Sequence, residues 1–132
     1  MIFTNIVPRV SETDGVGHIN NVFVPIWFEA GRREIFRIFS PDLNFVNWRL
    51  ALVKVTVEYL DQLYLAEDVE VRTGIKKIGN TTITITEQKF QTNRLCAKGE
   101  AIYVNYNFQE NKSEAISNEI RDKLQIIKFV DK

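Results

Sequence analysis

Residues 14–39 read DGVGHINNVFVPIWFEAGRREIFRIF, a polar loop that runs straight into an apolar helix. The loop carries an acid (Asp14), two glycines (Gly15 and Gly17), the only histidine of the chain (His18) and two adjacent asparagines (Asn20 and Asn21). Either asparagine is placed to cap the helix. Pro25 has no N–H and is tolerated only in a first turn, so the helix start falls near residues 22–24. Helical spacing then sets Val24, Phe28, Gly31, Ile35 and Phe39 on one stripe, with Trp27 and Ile38 beside it. Ser40-Pro41 ends a single long helix. On its opposite face Glu29, Arg33 and Arg37 follow at i, i+4 spacing, and Glu29 with Arg33 reads as a surface ion pair. Gly31 in mid-helix costs about 1 kcal/mol against alanine. Close packing of the helix on a sheet would explain it.

Outward from this stretch the period changes. Ile2 to Val10, punctuated by Pro8, suits an edge strand. Leu50 to Leu60, Val69 to Ile78, Thr81 to Phe90 and Cys96 to Phe108 are rich in Val, Ile, Thr, Tyr and Phe, and several alternate with a period of two. The breaks between them are short and favour antiparallel neighbours. Asn111 to Ser113, with Glu114 three residues after Asn111, reads as the cap of a final amphipathic helix reaching about Ile127. The sum is an α+β layer architecture, an antiparallel sheet of about five strands with one long helix packed on a face. One helix covers one face only. Phe90, Tyr103, Tyr106, Phe108, Tyr59 and Tyr64 then leave aromatic area to hide, which points to a homo-oligomer, such as a two-fold dimer continuing the sheet edge to edge.

A length of 132 residues fits a single domain, residues 1–132, able to bury a core without disulfides or metal. Seventeen basic residues balance 17 acidic ones without a basic stripe, which argues against nucleic acid. No apolar run approaches the roughly 20 residues of a membrane span. The first residues, Met1-Ile2-Phe3-Thr4-Asn5, lack the charged and apolar regions of a signal peptide, so a cytoplasmic protein is expected. One histidine and one cysteine make no metal constellation, and no cofactor is called for. Cys96, with no histidine near it in sequence, reads as a buried strand residue.

A carboxylate just ahead of a helix N-terminus sets a base or nucleophile beside unpaired backbone N–H donors. That is one way to build a small hydrolytic site. The bland alternatives are a turn at Thr13-Asp14-Gly15 and simple caps at Asn20 and Asn21.

The run Asp14-Gly-Val-Gly-His18-Ile-Asn20-Asn21, followed by Ile26-Trp27-Phe28-Glu29-Ala30-Gly31-Arg32, resembles the signature of hotdog-fold acyl-CoA thioesterases, in the 4-hydroxybenzoyl-CoA thioesterase-like branch. The likeness continues through Val57-Glu58-Tyr59-Leu60, Glu67-Asp68-Val69, Ile78-Gly79-Asn80-Thr81-Thr82 and Ala97-Lys98-Gly99-Glu100-Ala101. It implies a sheet wrapped around a central helix and hydrolysis of an acyl-CoA or acyl carrier protein thioester by a homodimer or homotetramer. Asp14 is then the nucleophile or general base. The resemblance puts the carbonyl-polarising amide seven residues after the acid, at Asn21, where the helix N-terminus favours negative charge. His18 is a candidate to bond the thioester oxygen or orient water, and Asn20, Val24, Tyr59, Thr81 and Thr82 are candidates for substrate binding. The chain departs from the family at Val24-Pro25 and at Asp61 to Asp68, where an acyl group would lie. A hotdog enoyl-CoA hydratase and a non-catalytic acyl-binding domain are the alternatives.

Overall fold

The structure, a computed structural model, describes residues 1–131. Strand β1 (Ile2–Ile6) leads through a 3-10 turn at Val10–Glu12 into the loop that carries Asp14. Helices α1 (Phe23–Ala30) and α2 (Arg33–Phe39) follow. Next come strands β2 (Leu50–Tyr59), β3 (Val69–Ile78), β4 (Thr82–Gln91) and β5 (Arg94–Asn107). A two-residue strand β6 (Lys112–Ser113) and helix α3 (Asn118–Ile126) complete the chain. The curled sheet is antiparallel, ordered β1-β3-β4-β5-β2, with β6 added to β5. No helix among the described residues is long and apolar enough to cross a membrane.

The single long helix is two short ones. Gly31 and Arg32 stay in the right-handed region, but their N–H groups bond three residues back, to Phe28 and Glu29, each at 3.0 Å, so the winding tightens at the junction. Two demands meet there. A Cβ on Gly31 would stand 2.6 Å from Thr73 Oγ1 and 2.9 Å from Val71 Cγ1 of β3, so the backbone itself lies against the sheet. Arg32 turns inward instead of following the exposed ladder, which leaves Glu29 and Arg33 on either side of the junction without an ion pair.

Other boundaries move for local reasons. β1 stops at Ile6, short of Pro8, which has no N–H for a ladder. Thr92 and Asn93 both take positive φ, 48° and 61°, the geometry of a two-residue type I′ hairpin, and β5 begins at Arg94. Asn111 (φ 53°) belongs to the turn that folds Lys112 and Ser113 back onto β5, so residues 111–113 cap nothing. α3 is capped by Ser117, whose hydroxyl accepts from the Ile120 N–H at 3.3 Å.

Beneath α2 and α3 lies a cluster that includes Ile35, Phe39, Ile83, Ile85 and Leu124, and beneath α1 a second with Val24, Trp27, Phe28, Val69 and Val71. Between them the inner face is polar. β4 alternates strictly, and its buried side continues from Ile83 and Ile85 into Glu87, Lys89 and Gln91. Arg32 meets Glu87 through two bonds, Nε to Oε2 at 2.8 Å and Nη2 to Oε1 at 2.7 Å, and its Nη1 donates to the Tyr103 hydroxyl at 3.0 Å. Such a fork-to-carboxylate match is the geometry in which a buried pair is best compensated. Tyr103 is therefore core, not spare aromatic surface.

β2 is an open edge. It pairs with β5 along one side only, and a bulge at Val53 interrupts the ladder. Leu52, Val55 and Tyr59, on the side that faces the helices, are exposed together with Val22 and Ile26 of the loop and α1.

Candidate active site

Gly15 and Gly17 take φ values of 89° and 95°, which a Cβ resists. The loop can therefore fold back on itself, with the Asp14 N–H donating to the His18 carbonyl at 2.8 Å and Thr13 bridging Ile19. Asp14 Oδ1 accepts from the N–H groups of Val16 (2.9 Å) and His18 (3.3 Å), while Oδ2 lies 3.5 Å from His18 Nδ1. The Val16 N–H above all holds this carboxyl below the usual carboxylate range, and the His18 N–H adds to it. One oxygen thus anchors the group. The other stands beside the imidazole.

Five successive amides show how the helix start is wired. Asn20 N–H donates to the Glu12 carbonyl (2.9 Å), Val22 N–H to Asn20 Oδ1 (3.1 Å), Phe23 N–H to the Asn20 carbonyl (3.0 Å) and Val24 N–H to the Asn21 carbonyl (3.2 Å). Only the Asn21 N–H donates to nothing among the described residues. Its peptide group is fixed nonetheless, because Phe23 holds the Asn20 carbonyl, and in a trans peptide the N–H points away from its carbonyl. Asn21 lines a cavity of about 310 Å³ with Tyr59, Leu60, Asp61 and Gln62. The Tyr59 hydroxyl donates to the Asn21 carbonyl at 3.4 Å.

The far wall comes from residues 61–68. Ile19 N–H donates to the Leu63 carbonyl (2.8 Å), and the Tyr64 ring meets His18 edge-on, centroids 5.2 Å apart. Gln91, buried at the end of β4, clamps this segment: its Oε1 accepts from Tyr64 N–H (2.9 Å), and its Nε2 donates to the carbonyls of Tyr64 (2.7 Å) and Glu67 (2.8 Å). Asp61 binds Arg94 at 2.6 Å. Glu12 supports the helix from behind, with Oε1 on the Arg9 N–H and Oε2 on the Trp27 indole N–H, both at 2.8 Å. Burial alone would raise its pKa, but the Arg9 guanidinium, 3.3 Å from Oε2, followed by the indole and the Arg9 N–H, outweighs it and lowers it.

The structure therefore brings Asp14, His18, Asn20, Asn21 and Tyr59 to one end of the sheet. Asn20 Oδ1 closes an Asx turn on the Val22 N–H just ahead of α1, whose own N-cap, Val22, has no side-chain cap, so neither asparagine caps the helix itself. The Val24 side chain is in the core, 3% exposed, and lines no open site. Thr81 and Thr82 lie at the opposite end of β4 from Gln91, about 30 Å along the strand at 3.3 Å per residue. Glu12 and Gln91 carry no sequence motif that marks them, and Tyr64, expected only as aromatic surface, lies against His18. For Gln91 the parity of Ile83 and Ile85 was the usable signal, since it places residue 91 on the buried side. Burial pushes the Cys96 thiol up, away from nucleophilic use.

A family model of the thioesterase-like superfamily matches residues 8–124. No curated protein matches the chain. Among solved structures, the chain is similar to a predicted thioesterase from Bacillus stearothermophilus, with 51% identity over 99% of this chain and 98% of the other and a TM-score of 0.95. A thioesterase from Thermus thermophilus, complexed with coenzyme A and zinc, shares the fold at 20% identity, covering 95% of this chain and 92% of that one, with a TM-score of 0.83. So does a Staphylococcus aureus protein in complex with coenzyme A, at 13% identity, 99% and 87% coverage and a TM-score of 0.84. The match of the family model over most of the chain, on a curled antiparallel sheet packed by short helices, places this protein in the thioesterase-like superfamily, as a thioester hydrolase of the hotdog fold.

Proposed function

We propose that the whole chain, residues 1–132, acts as one domain that hydrolyses an acyl-CoA or acyl carrier protein thioester, with Asp14 as the reacting carboxylate and the Asn21 N–H as the oxyanion donor. The observation that carries this reading is the lone Asn21 amide, held by its own peptide carbonyl yet given no partner, at the same helix entrance as an anchored carboxylate. A thiol leaves as thiolate without a strong acid, so the reaction needs little more than a nucleophile and a site for the oxyanion. By one route Asp14 Oδ2 attacks the carbonyl carbon, the C–S bond breaks, and water cleaves the resulting anhydride. By the other Asp14 takes a proton from water as that water attacks. His18, beside Oδ2, orients the attacking group in either case. The coenzyme A complexes of two distant relatives support a CoA ester as the form of substrate.

The reading includes a second copy. Two β2 edges pairing across a two-fold axis would cover Leu52, Val55 and Tyr59 and continue the sheet, giving a homodimer that doubles again in a homotetramer. Antiparallel pairing sets the Tyr59 end of one β2 beside the Leu50 end of the other. The partner's Thr81 and Thr82 then approach the Asn21 cavity, which their own protomer keeps far away.

The test is thiol release from short, long and aromatic acyl-CoAs and from an acylated carrier protein, run beside hydration of crotonyl-CoA. Release from at least one ester is the expected result. Hydration without release would reassign the chain as a hydratase, and saturable binding of every ester without turnover would make it an acyl-binding domain.

A further inference from the structure

Lys89 is the one fully buried charged side chain that has no ion-pair partner among the described residues. It rises from β4 beneath α1, and its Nζ donates to the Val24 carbonyl at 2.6 Å. The Phe28 ring lies 4.3 Å from the nitrogen and the Trp27 ring 5.2 Å, measured to the centroids. The titratable and charged groups that face this nitrogen are all otherwise engaged. Glu87, on β4 itself, is committed to Arg32 at the α1–α2 junction. Cys96 faces it from β5 with a thiol that burial keeps protonated. Glu12, beyond Trp27 on the 3-10 turn, is bound by Arg9 and the indole.

Val24 belongs to the first turn of α1, and its own N–H donates to the Asn21 carbonyl. The bond from Lys89 therefore joins the first-turn hydrogen bonds that hold Asn21 from its carbonyl side, next to the peptide whose N–H is fixed through the Asn20 carbonyl. We propose that Lys89 is a positioning residue for the oxyanion site, whose protonation tightens the bond to the Val24 carbonyl and with it the turn that presents the Asn21 amide. This rests on Asn21 as the oxyanion donor of a thioester hydrolase. A hydrogen bond from an ammonium is about twice as strong as one from a neutral amine. A positive charge beneath the first turn also favours the negative charge that develops on the thioester oxygen. Desolvation brings the pKa of the amine down to about 7, so the bond changes character near neutral pH.

Two readouts test the proposal in the full chain, with Lys89→Met and Lys89→Arg first shown to unfold cooperatively. Backbone amide shifts of Asn21 and Val24, followed from pH 5.5 to 9, are expected to inflect near pH 7 in the parent and not in Lys89→Met. No inflection, or one that persists in Lys89→Met, would overturn the coupling. In thiol release, kcat is expected to fall as pH rises through 7 in the parent, to be low and free of that limb in Lys89→Met, and to be restored without the limb in Lys89→Arg, which keeps its charge. Profiles of the same shape in parent and Lys89→Met would reduce Lys89 to a structural residue. Should the parent release no thiol from any ester, the thioesterase reading of Asn21 fails, while the amide titration still decides whether Lys89 acts on the turn.

Discussion

Replacing Lys89 by methionine should stabilise the protein at neutral pH and remove a pH dependence from its stability. The amine is fully buried and its pKa falls from 10.5 to about 7, with desolvation as the largest cause. The unfolded chain binds a proton at this position below about pH 10.5, whereas the folded protein binds one only below about pH 7. Stability therefore declines as pH falls through that window and stays level below it. At about 1.4 kcal/mol per pH unit, the full span corresponds to roughly 5 kcal/mol. Methionine has a flexible chain of similar length and suits the faces of Trp27 and Phe28. It gives up the bond to the Val24 carbonyl, worth about 1.5–3 kcal/mol when the donor is charged. The net gain expected at pH 6–7 is on the order of 2–3 kcal/mol. Urea unfolding of parent and variant at each pH from 6 to 10 reads it, since the difference between the two curves cancels every other group. The parent should gain on the variant as pH rises from 7 to 10. Parallel curves across that range would refute the reasoning.

The other expectations are narrower. Gly31→Ala should destabilise by about 1–3 kcal/mol in thermal unfolding, against its better helix propensity, because the new methyl would press on Thr73 Oγ1 and Val71; a neutral result would show that α1 stands off the sheet. Arg32→Leu should cost about 3–5 kcal/mol by leaving Glu87 buried and unpaired, and Arg32→Leu with Glu87→Leu should recover most of it; additive losses would contradict a paired site. Asp14 titrates below the ordinary 3.8, so its carboxylate is ionised throughout pH 5–8 and its contribution is lost only as pH falls below that range. Titration of the Asp14 carboxyl carbon shift within pH 5–8 would contradict this.

Much of the layout was legible because the hydrophobic period switches from helical to two at Leu50 and the strands are separated by short breaks. What misled was local. Nothing in AGRRE tells that Arg32 faces inward, since one arginine among exposed arginines looks solvated, and its partner Glu87 lies 55 residues away. The same holds for β4, where residue type alone does not tell that Glu87, Lys89 and Gln91 are inside, while the alternation begun by Ile83 and Ile85 does. The candidate site stood out in residue types, with Asp14, His18 and Asn21 on one short loop. Which amide lacks a partner did not, because that depends on the Glu12 carbonyl and the Asn20 side chain taking up its neighbours. Thr81 and Thr82 show the opposite limit, since within one protomer they lie at the far end of β4 and only the proposed second copy would bring them to Asn21.

The central claim is that Asp14 reacts with a thioester whose oxygen rests on the Asn21 amide, and kcat of Asp14→Asn against the parent, on the best ester of the panel, tests it most directly. The substitution keeps the size of the side chain and an oxygen for the Val16 N–H but removes the charge. Coenzyme A affinity measured alongside should change little while kcat falls by at least about 100-fold, the scale of a group that acts in general base catalysis. An unchanged kcat would return Asp14 to an ordinary turn residue and leave the reaction without its carboxylate.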